Sequence, residues 1–329
     1  MTGLAALILT ALALPALLAR MTGGYPPKYG PELAALAPLA IVPGTAAVII
    51  AAYAAWWLAA LLAIPAALLV MWQLPPLRRP HVEAAPGPSP GASGGTRSAV
   101  TTLRLRLFTV NAMRGAADPA ALLRLLRQHS VDVLAVQELT PSMVSRLTAV
   151  GLTQLLPFSH LDPRPGSWGV GWWARWPLLP LEPVPGLRSA APRARVDPLD
   201  GLPVTLTAVH LVAPTQKHSD AWRRELAIIQ QTLATVDGPQ LVAGDFNATR
   251  DHRPFRELLA AGYLDCADSS QSRSWPGFTW PATGRMLPVM RLDHVLVSRT
   301  AAVPMTRAIR VPRTDHHGVL AAIEFTRRT

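Results

Sequence analysis

The chain has 329 residues, half of them hydrophobic, with a net charge of +11 and a single cysteine, Cys266. One cysteine excludes an intramolecular disulfide framework and a cysteine-rich zinc centre. The arginine excess fits anionic partners such as phosphate esters, nucleic acid or acidic lipid head groups, or else reflects an arginine- and alanine-rich composition alone. The charge is unevenly spread: only Arg20, Lys28 and Glu32 interrupt residues 1–74, whereas from Val100 onward 26 Lys and Arg face 18 Asp and Glu, a balance of +8. That division predicts a membrane region followed by a soluble one.

Three apolar stretches come first: Leu4–Ala19, Leu33–Ala52 and Ala54–Leu74. A spanning helix needs about 20 apolar residues, so three helices are expected at about 3–19, 33–52 and 54–74. The uninterrupted run 33–74 is too long for one span and suits two, with a turn near Tyr53–Trp57 placing Tyr53, Trp56 and Trp57 at an interface. Met1–Ala19 lacks a basic leader segment and a small-residue cleavage site, which favours retention over cleavage as a signal peptide. Residues 75–99 interleave Pro75, Pro76, Pro80, Pro86, Pro88 and Pro90 with Gly87, Gly91, Gly94 and Gly95, the composition of a linker.

The soluble part, 100–329, then alternates strand and helix signals. Leu103–Val110 alternates as a strand and stops at Asn111. Asp118-Pro119 caps a helix with Leu122, Leu123 and Leu126 on one face. Val131–Val136 reads as a buried strand ending at Gln137-Glu138, and Val170–Trp173 as another. Val204–Val209 ends at His210, and Ala221–Leu233 has helical periodicity. Gln240–Ala243 ends at Gly244-Asp245-Phe246-Asn247. His294–Val297 follows Asp293, and Val319–Phe325 follows Asp315-His316-His317. Asn111, Glu138, His210, Asp245, Asn247, Asp293, Asp315 and His316 thus all lie at or beside a strand end. Each alone reads equally well as a turn, a cap or a strand terminus; strands sharing a sheet can gather the whole set at one edge.

These blocks, in this order, resemble the endonuclease/exonuclease/phosphatase superfamily over about Thr102–Phe325, including membrane-anchored bacterial members. They stand as Thr109-Val110-Asn111, Val136-Gln137-Glu138, Val209-His210-Leu211, Gly244-Asp245-Phe246-Asn247-Ala248, Arg291-Leu292-Asp293-His294-Val295 and Thr314-Asp315-His316-His317. The resemblance implies a four-layer α/β sandwich, two packed mixed β-sheets flanked by helices, here preceded by the transmembrane helical region. It also implies phosphoester hydrolysis with Mg²⁺ or Mn²⁺. Glu138 would be the principal metal ligand, with Asn111 and Asp315 completing or orienting the metal site. Asp245 would position and deprotonate the attacking water, Asn247 and His210 would hold phosphoryl oxygens, and His316, oriented by Asp293, would contact the phosphate or transfer a proton. Hard carboxylate oxygens suit such a cation, and Asn and His donors suit a phosphoryl group.

The pattern departs from the family in one block. Gly169-Val170-Gly171-Trp172-Trp173-Ala174-Arg175 keeps an arginine, Arg175, as a candidate substrate contact, but has Ala174 where a serine is usual. No equivalent of the Tyr and Arg that nucleases place on the DNA backbone stands out. The expected activity is therefore that of a phosphatase or phosphodiesterase on a lipid-linked or membrane-surface phosphate, with membrane lipids as partners through the helices. A membrane-bound nuclease is the alternative and a catalytically inactive binding protein a weaker one; no protein partner follows. The sidedness signals conflict. Arg20, Lys28, Arg78 and Arg79 on one side of a three-span region point to a cytoplasmic domain, whereas the resemblance to membrane-anchored members implies a multi-pass protein with its catalytic domain outside the cytoplasm, which is the expectation adopted.

Overall fold

The computed structural model describes residues 2–22, 29–54, 56–73, 100–198, 202–270, 272–273, 277–283 and 286–328. The linker expected at 75–99 lies outside them. The chain divides into two compact units: one drawn from Met1–Leu77, Val212–Ala227 and Ala248–Leu258, the other from Arg78–Leu211, Ile228–Asn247 and Leu259–Thr329.

The larger unit holds two mixed sheets. The first has seven strands, ordered β10 (Ser272–Arg273), β12 (Ala301–Arg310), β13 (His317–Arg328), β1 (Val100–Asn111), β2 (Val133–Gln137), β4 (Val170–Ala174) and β3 (Phe158–Asp162). The second has six: β5 (Leu178–Leu181), β6 (Arg193–Val196), β7 (Val204–His210), β8 (Gln240–Asp245), β11 (Asp293–Ser298) and β9 (Tyr263–Asp265). β1 pairs with β2, β7 with β8 and the short β10 with β12 in parallel, and the other pairs are antiparallel; the β1–β2 and β7–β8 crossovers each carry a helix.

The packing follows from side-chain alternation. In β1, Leu103, Leu105 and Leu107 join Val133, Ala135, Trp172, Val204, Leu206, Ala208, Leu241, Ala243, Val295 and Val297 in the core between the sheets. Phe108 and Val110 face the other way, onto Leu122, Leu123 and Leu126 of α5 (Pro119–Gln128) and Met143 and Leu147 of α6 (Pro141–Ala149). Each fully buried Leu or Val in these rows contributes about 1.5–3 kcal/mol. Asp118 caps α5 as its sequence predicts, its Oδ1 accepting from the amides of Ala120 and Ala121 at 2.9 and 3.0 Å. The two-sheet, helix-flanked architecture read from the sequence is the architecture observed.

The smaller unit contains the N-terminal helices. α1 is Thr2–Met21, α2 Gly30–Ala35, α3 Ala37–Ala54 and α4 Trp56–Gln73. The expected helix 33–52 is therefore two helices, separated at Leu36, which caps α2 with φ −84° and ψ −1°. Among the described residues, Leu4–Met21 is the one segment long and apolar enough to cross a membrane, and Ala37–Tyr53 is a shorter apolar helix. Mostly small residues fill the helix contacts: Ala13, Ala16, Ala37 and Ala40 with Leu17 in one cluster, Ala6, Ala47 and Ala51 with Leu62 in another. In the same unit Arg20 pairs with Asp251 at 2.7 Å. His252 Nδ1 accepts from the Thr249 amide at 2.8 Å, so Nε2 carries the hydrogen and donates to the Pro31 carbonyl at 2.7 Å.

Candidate active site

The rows that build the inter-sheet core also build the site. Continuing each row along the same parity leads from Leu107 through Thr109 to Asn111, and in one step from Ala208 to His210, from Ala243 to Asp245, and from Val295 back to Asp293. Across the second sheet, His210 lies opposite Asp245 on the parallel pair β7–β8, and Asp245 opposite Asp293 on the antiparallel pair β8–β11. Register alone thus sets His210, Asp245 and Asp293 side by side, all buried.

Side-chain contacts draw in the rest. Asn111 Nδ2 donates to Asp245 Oδ2 at 3.0 Å and to Glu138 Oε1 at 3.2 Å, bridging the two sheets. Glu138 Oε2 accepts from the Arg114 amide at 2.6 Å. His210 donates from Nδ1 to the Ser167 carbonyl at 2.9 Å, which turns Nε2 toward Asp245 and Glu138 at 3.7 and 3.9 Å. His316 Nδ1 bonds Asp293 Oδ2 at 2.8 Å and leaves Nε2 3.9 Å from Asp245 Oδ2. Asn247 donates its backbone N–H to Asp245 Oδ1 at 2.8 Å and its side-chain amide to the Leu211 carbonyl at 2.8 Å.

Backbone strain concentrates here. Six described non-glycine residues have positive φ, and five of them, Met113, Arg114, Glu138, Asn247 and Arg313, belong to the site or to the turns that carry it. Such conformations persist only where surrounding structure imposes them. Gly244, at φ +146°, runs so close to β7 that a Cβ would meet the Val209 carbonyl oxygen at 1.9 Å, so only glycine can precede Asp245.

The electrostatics are lopsided. Burial raises the Asp245 pKa and the neighbouring Asp293 charge raises it further, against His316, His210 and the Asn247 amide. For His316, burial works against the cation, but the charge and hydrogen bond of Asp293, with Asp245 and Asp315, outweigh it and hold the pKa at about 10. Asp293 Oδ1 is buried without a hydrogen-bond partner among the described residues.

Among the described residues, one group of three His, Cys, Asp or Glu side chains brings ligand atoms within 4.8 Å of one another: Asp245, Asp293 and His316. An imidazolium cannot ligate through a protonated nitrogen, so His316 in this state is a donor. The donor chemistry fits a hard divalent cation: Glu138, Asp245 and Asp293 bring three carboxylates into one site with no thiolate.

Two residues of the sequence-based set stand apart. Asp315 acts electrostatically on His316, and its backbone carbonyl accepts from Ala282 at 2.7 Å; its carboxylate makes no contact with Glu138 or Asn111 among those observed. Arg175 is not at the site. Gln137 pairs with Val170 and Val133 with Ala174 on the antiparallel pair β2–β4, so Arg175 leaves the sheet at the end opposite Glu138, where it pairs with Asp132 at 3.3 Å. The sequence reading missed the Ser167 carbonyl, a backbone group with no side-chain signature. It also missed a buried support cluster: Asp265 holds His294 Nδ1 at 2.8 Å, and His294 meets Phe246 edge-on at 5.7 Å between ring centroids. The adjacency of His294 to Asp293 was its one available signal.

Fold and site together define an α/β-sandwich protein with an acid–imidazole centre at the shared edge of its two sheets. The family model described as "Endonuclease/Exonuclease/phosphatase family" matches residues 108–316, and the chain belongs to that family. Its superfamily comprises divalent-metal-dependent hydrolases of phosphoester bonds: phosphodiesterases, phosphatases and nucleases. Solved structures share the fold at low identity. An endonuclease/exonuclease/phosphatase family protein from Leptotrichia buccalis C-1013-b is 16% identical, covering 67% of this chain and 100% of its own, with TM-score 0.54. One from Bacteroides thetaiotaomicron is 14% identical over 68% and 99%, with TM-score 0.55. D. rerio TDP2 complexed with a single-strand DNA product is 18% identical over 67% and 98%, with TM-score 0.52. No curated protein matches the sequence.

Proposed function

We propose that this chain is a membrane-anchored, Mg²⁺- or Mn²⁺-dependent phosphoesterase acting on a lipid-linked or membrane-surface phosphate. The observation that carries the reading is the row His210–Asp245–Asp293, closed from the facing sheet by Asn111 and Glu138 and capped by His316.

In this reading Glu138 would hold the cation, oriented by Asn111, while Asp315 acts through its charge on His316; the cation would supply charge neutralisation to the phosphoryl group. Asp245, fixed through Oδ1 by the Asn247 amide, aligns the attacking water at Oδ2 and accepts its proton. Asn247 keeps one side-chain N–H on the Leu211 carbonyl and offers the second to a phosphoryl oxygen. His210 presents Nε2 to the same group. His316, charged and locked by Asp293, holds a proton at Nε2 for the phosphoryl or leaving oxygen.

The membrane half of the proposal rests on the exposed faces of the helices. Leu4, Leu12, Val42 and Ile64 are each more than half exposed on α1, α3 and α4 while alanines, with Leu17 and Leu62, fill the contacts between helices, an arrangement that suits lipid. α3 and α4 carry no Asp, Glu, Lys or Arg over 18 residues each, about 27 Å of helix. We assign them as further spans, with residues 1–74 as the membrane region, 75–99 as a linker and 100–329 as the catalytic domain outside the cytoplasm. Tethering raises the local concentration of a substrate in the same membrane. The +8 balance of the catalytic domain favours nucleic acid as the second reading.

The test is phosphate or phosphomonoester release by purified full-length protein with Mg²⁺ and Mn²⁺ across alkyl and polyprenyl diphosphates, phospholipids, inositol phosphates and DNA. Turnover of a lipid phosphate ahead of DNA supports the proposal, and turnover of DNA alone replaces it with the nuclease reading. Reporter fusions at the C-terminus assign the side, and activity of a cytoplasm-only reporter rejects the outward orientation.

A further inference from the structure

A cavity of about 350 Å³ opens between the β1–α5 loop, the β12–β13 turn and the segment Ala282–Thr283. Its walls are continuous with the backbone that carries the site. The amide of Met113, which lines it, donates to Asn111 Oδ1 at 2.9 Å. Thr314 Oγ1 donates to the Asn111 carbonyl at 2.7 Å and accepts from the His316 amide at 3.2 Å. Ala282 donates its N–H to the Asp315 carbonyl at 2.7 Å. A ligand in the cavity therefore touches the turns that hold Asn111, Asp315 and His316.

The lining has two characters. Met113, Ala282 and Val311 give an apolar wall, and Arg310 and Arg313 give two guanidinium groups. Both arginines are exposed, and neither forms an ion pair with a described residue. Asp118 lies within electrostatic range of Arg313, but its Oδ1 already caps α5. Met113 and Arg313 hold φ of +48° and +63°, so the walls keep backbone conformations that side-chain residues rarely adopt. The size suits a small-molecule subsite, and two unpaired arginines suit the bidentate recognition of phosphate.

We infer that this cavity is a subsite for a second phosphate of the substrate, borne by an amphiphile, so that Arg310 and Arg313 select diphosphate or bisphosphate esters over simple monophosphates. The inference rests on the phosphoesterase reading of the adjoining site and adds the substrate class. The apolar wall beside the two cations favours an alkyl diphosphate over a polynucleotide, whose successive phosphates are joined by sugars.

The experiment measures binding by calorimetry, on full-length protein in detergent with EDTA present, of methylenediphosphonate, orthophosphate and a single-stranded oligonucleotide. The wild type should bind methylenediphosphonate at least tenfold more tightly than orthophosphate, and R310A/R313A should bring that ratio to within twofold. An unchanged ratio in the double variant, or no preference in the wild type, overturns the subsite. Oligonucleotide binding that weakens in the double variant while methylenediphosphonate binding holds overturns it in favour of nucleic acid. Turnover is read separately on the wild type: retained diphosphonate preference without hydrolysis rejects the enzymatic reading and keeps the subsite, and hydrolysis without preference does the reverse.

Discussion

Trp172, Phe108 and Phe325 are buried in the sandwich with under 2% of their surface exposed, whereas most buried positions of the N-terminal helices are alanines such as Ala6, Ala47 and Ala51, with Leu17 and Leu62 beside them, and Leu12 and Val42 point outward. In the sandwich, water drives large apolar side chains inward. In the helices that drive is weaker in the pattern: small residues let backbones approach and many large ones face away, although Leu17 and Leu62 are buried. The proposed membrane setting of the helices would explain that difference, and the substitutions that damage each region should differ accordingly.

The sharpest test of the sandwich lies at its polar edge. Replacing Asp245 or His316 with alanine should lower kcat by about 10²–10⁴-fold, with an unchanged circular dichroism spectrum. A loss of fold in both variants would instead make these residues structural. Next in size, Trp172→Ala should destabilise the sandwich by about 3–5 kcal/mol, read by denaturant unfolding.

The pH response of His252 separates the smaller unit from the larger. Burial lowers its pKa from 6.5 to about 4, against its hydrogen bonds to Pro31 and Thr249. The folded state therefore prefers the neutral ring. Its contribution is full above pH 6.5, falls as the pH drops toward 4, and amounts to about 3 kcal/mol over that window. Thermal unfolding of the wild type should weaken between those pH values, and His252→Gln should flatten the slope. Smallest, Ala51→Leu in the helices should cost about 1–3 kcal/mol by overpacking, while Leu12→Ala should leave stability in detergent nearly unchanged. A large loss at Leu12 would mean that its face is packed against protein and would break the contrast.

Much of this architecture was legible in the sequence because apolar rows end in polar residues at β1, β2, β7, β8 and β11. A row that feeds a core and then stops at Asn111, His210 or Asp245 announces both the strand and the site. The strands that escaped notice lack such rows. β3 and β5 are edge strands with little burial, and β5 contains Pro180. β12 contains Pro304 and shifts register between Ala302 and Met305. Arg175 was misplaced because the sequence identifies its strand but not the direction that strand runs against β2. Cavity and support cluster alike depend on turns meeting across the fold, which spacing along the chain does not encode.

The account turns on Glu138, which holds a φ of +53° and contacts Asn111 and the Arg114 amide. The most direct measurement is Mg²⁺-dependent phosphate release by wild-type protein and Glu138→Ala side by side, with Mg²⁺ affinity determined by calorimetry on both. The account predicts metal-dependent turnover in the wild type, and in the variant loss of both turnover and Mg²⁺ binding with the fold retained. Full activity of Glu138→Ala in Mg²⁺ would contradict it.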